Sequence, residues 1–140
     1  MSNNSASSIR GAIHTALSAL STVQAVAHGH TQQYTGYPTV KIWLQSVQTE
    51  LVDTAKLQKR VYVYALEVVQ DSSQKARAQA ETDFQDCIDQ ILDKFQSEWT
   101  LTDNCDIGLS GETTTILRDS GQGIQVSAII PLEVTTYLDA

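Results

Sequence analysis

The sequence predicts an α+β fold, a single domain built on a mainly antiparallel β-sheet with two helices packed on one face. Three observations predict it. Residues 59–70, KRVYVYALEVVQ, are rich in aromatic and β-branched side chains and contain no Gly or Pro. Residues 76–95 carry apolar side chains at three- and four-residue intervals, and residues 124–130 return to a period of two. A chain of 140 residues suits one core and gives no sign of a second domain.

The segment 59–70 organises the rest. Val61, Val63, Ala65 and Val69 fall on one side of an extended strand and Tyr62, Tyr64, Leu66 and Val68 on the other, interrupted only by Glu67. Such a strand is central and needs cover on both faces. Helices of the same chain cover one face; the other calls for a second layer, a curled sheet or another subunit. A buried helix is the rival reading, and the Tyr-Val-Tyr alternation argues against it.

In chain order, residues 1–8 form a flexible polar start, and Ser7 or Ser8 caps a helix in which Ile9, Ile13, Ala16, Leu17 and Leu20 share a face. His14 lies near its polar flank and needs no special role. Residues 23–27 are a short strand or the last irregular step of that helix, and residues 28–38, HGHTQQYTGYP, read as a loop. His28 and His30 offer two imidazoles to a transition metal, yet no third ligand stands nearby, so an exposed pair is the plainer reading. Val40, Ile42 and Leu44 alternate with Lys41 and Trp43 in a strand. Trp43 covers the outer sheet face or lies in a subunit contact. Residues 48–60, QTELVDTAKLQKR, read as a long charged hairpin connection, either a solvated loop or a docking element.

Asp71, Ser72 and Ser73 end the central strand and cap the longer helix. Its apolar stripe is Ala76, Ala80, Phe84, Cys87, Ile88, Ile91, Leu92 and Phe95; Thr82, Asp86, Asp89 and Asp93 oppose it. The aspartates make a solvated face, because a Mg²⁺ site needs further organised oxygens. Trp99 and Leu101 anchor the exit, Ile107 and Leu109 point inward from a short strand, and residues 113–117 are β-prone. The turn RDSGQG then leads to Ile124, Val126, Ala128 and Ile130. Pro131 interrupts that strand. The domain therefore spans 9–131, and 132–140 is a C-terminal tail or a final strand; its Leu132, Val134, Tyr137 and Leu138 either belong to an interface covered by a neighbouring subunit or complete the sheet.

The net charge of -7 disfavours a nonspecific nucleic-acid surface. From residue 103 onward there are six acidic residues against one basic residue, Arg118. Cys87 and Cys105 form no CxxC or metal cluster; two buried thiols are the plain reading and a disulfide the next. Nothing resembles a secretory leader or a membrane-length apolar run, which suggests a soluble chain. Phosphate loops, GxSxG elbows and HExxH motifs are absent, so no catalytic residues, metal or cofactor are expected. An enzyme would need a pocket joining His28 or His30 to carboxylates.

Three features in order resemble the tail terminator, or tail completion, proteins of long-tailed bacteriophages. These are Tyr37-Pro38-Thr39-Val40 opening the first strong strand, Arg60-Val61-Tyr62-Val63-Tyr64 opening the second, and the 80–95 helix ending in Ile91-Leu92-Asp93-Lys94-Phe95. The resemblance covers roughly residues 9–130 and rests on order and spacing. It implies a structural virion protein at the head-proximal end of the tail, assembled in the host cytoplasm without a membrane. Six copies would close into a ring that stops tube polymerisation and presents a surface for head-tail joining. Its partners would be the tail tube protein and a head completion or connector protein, with DNA passing only transiently through the lumen. The 50–60 connection looks like the hairpin such proteins set against neighbouring rings, which makes Glu50, Asp53, Lys56, Lys59 and Arg60 interface candidates. Tyr62 and Tyr64 are candidates for packing between subunits, with core burial as the competing account. Another connector or tube component, or an unrelated small α+β binding module, remains an alternative.

Overall fold

The computed structural model describes residues 5–29, 36–51, 57–71, 77–97, 105–109, 112–119 and 124–139. His30, Asp53, Lys56, Ser72, Ser73, Ala76, Trp99, Leu101 and the 120–123 turn fall outside them. The element order is α1 (Ala6–Ser18), β1 (Ala25–His28), β2 (Thr39–Leu51), β3 (Leu57–Asp71), α2 (Arg77–Ser97), β4 (Cys105–Leu109), β5 (Thr114–Asp119) and β6 (Ile124–Asp139). The expected fold class holds: one six-stranded, mostly antiparallel sheet with both helices on one face.

The strand order is β1-β2-β3-β6-β4, and β5 pairs with β6 beyond β4. Among the described strands only β1 and β2 run parallel. The two-sided strand is central as expected: β3 pairs with β2 on one side and with β6 along its whole length on the other. Its even-numbered residues face the helices. Val40 and Ile42 of β2, Tyr62, Tyr64, Leu66 and Val68 of β3, and Ala128, Ile130, Leu132 and Val134 of β6 meet Ile9, Ile13 and Leu17 of α1 and Phe84, Cys87, Ile91 and Phe95 of α2 in one core.

Local details correct several expectations. Ser5, not Ser7 or Ser8, caps α1: its side chain accepts the Ser8 amide at 3.2 Å. Ser7 and Ser8 lie inside the first turn, where the cap geometry is no longer available. The ambiguous 23–27 segment includes a true strand, since Ala25–His28 pairs with 39–42 of β2. His28 therefore ends a strand and does not begin a loop. Gln90 of α2 accepts from the Thr22 amide at 3.0 Å and from the Thr22 hydroxyl, tying α2 to the turn that follows α1.

The largest correction concerns β6. Pro131 does not interrupt it; the strand runs unbroken to Asp139, with Pro131 opposite Ala65. On the outer side of β6, β5 pairing stops at Ile129 and β4 pairing starts at Leu132, so Pro131 falls in the gap between those two ladders, where a residue without an N–H is best tolerated. Residues 132–136 thus lie between β3 and β4, residues 137–139 pair with β3, and Leu132 and Val134 are buried in the chain's own core.

Candidate assembly surface

The expected 48–60 connection is mostly strand. β2 continues to Leu51 and β3 resumes at Leu57, so only 52–56 connect them. Polarity concealed this, because Gln48, Thr49, Glu50, Gln58 and Lys59 pair through the backbone whatever their side chains. Glu50 stands opposite Lys59 and Thr49 opposite Arg60. With residues 132–139 of β6 beside them, these strands make an arm, which β4 flanks beyond β6 as far as Thr136.

A β-bulge at Gln45 shapes the arm. Register passes from Leu44↔Tyr64 to Ser46↔Val63, and the extra residue returns Val47 to the face that carries Leu44. Leu44 is 42% and Val47 46% exposed, the exposed large hydrophobics among the described residues. β1 ends opposite Ile42, where the Gly29 amide donates to the Ile42 carbonyl at 2.8 Å. Past that point, no described strand pairs with the outer side of residues 44–51. Strict alternation in the sequence could not reveal Val47, because the bulge shifts its parity.

Tyr62 and Tyr64 do not reach a subunit surface. They are 4% and 1% exposed under the helices, and the Tyr64 hydroxyl donates to the Ala6 carbonyl at 2.7 Å. Burial, reinforced by Tyr62, pushes the Tyr64 phenol up to about 12, with Arg10 opposing. Of the interface candidates, Glu50 is exposed and Lys59 and Arg60 are half-buried, all three on the arm.

The face away from the helices carries the odd-numbered residues of β3. Lys41 and Glu67 pair there at 3.0 Å, both largely buried, which answers the one charge that broke the apolar pattern. Half-buried Trp43 stands opposite Ala65 beside them. Trp43 thus covers the outer sheet face.

His14 does have a contact. Its ring stacks on His28, with centroids 4.8 Å apart and planes inclined by 19°. Burial, then Arg10, then His14 itself hold the His28 imidazole below its ordinary range. Cys87 is a free buried thiol, raised to about 11 by burial, with a Thr22 hydrogen bond opposing. Asp86, Asp89 and Asp93 are exposed on α2, and no cluster of three His, Cys, Asp or Glu suited to a metal occurs among the described residues. An open cleft of about 500 Å³ lies among Thr22, Tyr37, Asp71, Asp83 and Asp86, and another of about 330 Å³ among Arg10, Gly29, Leu44 and Tyr64. No described helix is long and apolar enough to cross a membrane.

Comparison of the chain with known protein-family models and with curated proteins found no match.

Proposed function

We propose that this chain is a tail-terminator subunit of a long-tailed phage, acting mechanically and without catalysis. Copies form a ring, six by the sequence resemblance, on the head-proximal end of the tail tube. One ring face matches the last tube ring and blocks further addition; the other receives a head completion or connector protein. The observation that carries this reading is the arm of β2, β3 and β6, whose β2 edge is open and bears the exposed Leu44 and Val47. An edge of that kind is a template for pairing with another chain. Glu50, Lys59 and Arg60 place charge along the same arm, where it can select register against a tube or connector ring.

The test is to add the purified chain to polymerising tail-tube subunits and measure tube lengths by electron microscopy. A terminator shortens the tubes in proportion to its concentration and appears on one end only. Unaltered tube growth with no bound chain would refute termination, and binding to a connector alone would favour a head-joining adaptor.

A further inference from the structure

Four strands of the sheet align in level rows. Leu44, Tyr64, Leu132 and Leu109 form one row, Val47, Tyr62, Val134 and Ile107 a second, and Thr49, Arg60, Thr136 and Cys105 a third. The rows share the parity of the helix side of the sheet. They begin on the open edge of β2 and end on β4 at the opposite edge, and no described strand pairs with the outer side of β4.

From these rows we infer that β4 of one copy pairs antiparallel with residues 44–49 of the next, joining neighbouring sheets edge to edge around the ring. Direction fits. β2 and β6 run one way, and β3 and β4 the other, so rotation about an axis along the strands brings β4 against β2 in antiparallel sense. Level fits as well, because the same rotation sets position 109 beside Leu44, position 107 beside Val47 and position 105 beside Thr49. Leu44 and Val47, the exposed large hydrophobics among the described residues, thereby meet register positions that the sequence fills with Leu and Ile.

Charge also permits the contact despite the net charge of -7. Residues 44–49, LQSVQT, carry no charge, and β4 carries only Asp106, so no like charges meet across the new ladder. A head-to-tail contact of this kind uses each edge once and closes when the rotation closes. The inference rests on the ring reading above and names the two edges that make the ring.

Cross-linking of the full chain tests it. Directly opposed strand positions lie near disulfide reach. A Thr49→Cys variant under mild oxidation is therefore expected to bond to Cys105 of a neighbour and give a covalent ladder that ends at the ring size. Cys105→Ser in the same chain should abolish the ladder. Val47→Lys, at an exposed position, should weaken self-association by more than about tenfold, because it places an unpaired charge in the contact, while circular dichroism stays unchanged. Oligomers that form without a link from position 49 to Cys105 and are indifferent to Val47→Lys would overturn the edge pairing and leave the ring intact. Links between two copies of position 49 would replace it with a two-fold β2 contact. A free chain that stays monomeric at every concentration also overturns it, and the tube-length assay then judges termination separately.

Discussion

The Tyr64 hydroxyl, on the central strand, donates to the Ala6 carbonyl in the first turn of α1 at 2.7 Å. One side chain thus holds the start of the N-terminal helix against the sheet. Tyr64→Phe keeps the ring and removes the bond, so a loss of about 1 kcal/mol in urea unfolding is expected, with faster amide exchange confined to the first turns of α1. The same phenol is raised to about 12. Since its ordinary value lies near 10, its contribution is present below that pH and is lost as pH rises toward 12. Absorbance titration should show one tyrosine ionising late in the wild type and missing from the variant.

Lys41 and Glu67 form a buried pair at 3.0 Å. Removing one partner strands the other charge in a poorly hydrated site. Glu67→Gln or Lys41→Met alone should cost about 3 kcal/mol, and the double variant should recover much of it. Equal and additive losses in a denaturation cycle would show that the two groups do not depend on each other.

The pKa of the His28 imidazole is lowered by desolvation, then by Arg10 and then by the stacked His14. Its folded pKa lies below the unfolded one, so the unfolded chain binds more protons as pH falls below about 6.5. The associated stability is full above that pH and declines below it. Urea midpoints measured from pH 5 to 8 should rise with pH, and His28→Gln should flatten the rise. An unchanged slope would assign the acid sensitivity to other groups.

Cys87 is buried and its thiol is raised to about 11, so little thiolate exists at neutral pH. In a Cys105→Ser background, its modification by a thiol reagent should follow the rate of unfolding. Rapid modification of the native protein would contradict that burial.

Much of this fold was legible because the core strands and helices obey simple periods. The faces of β3 follow from alternation at 61–69, and the buried stripe of α2 from 3.6-residue spacing. Features set by partners distant in sequence were hidden. Pro131 reads as a breaker until the gap between β4 and β5 is known, and Val47 changes face through a bulge that no local pattern marks. The His14–His28 stack joins a helix to a strand, so neither residue announces it alone. Of the interface candidates, Glu50, Lys59 and Arg60 lie on the arm, while Tyr62 and Tyr64 serve the core; alternation identified their common face but not which face the helices would cover.

The most direct measurement is the mass of the purified chain in solution across a concentration series, with negative-stain imaging of the largest species. A closed ring of six copies is expected, with no species beyond it. A monomer at all concentrations, or a polymer that grows without closing, would contradict a self-closing ring.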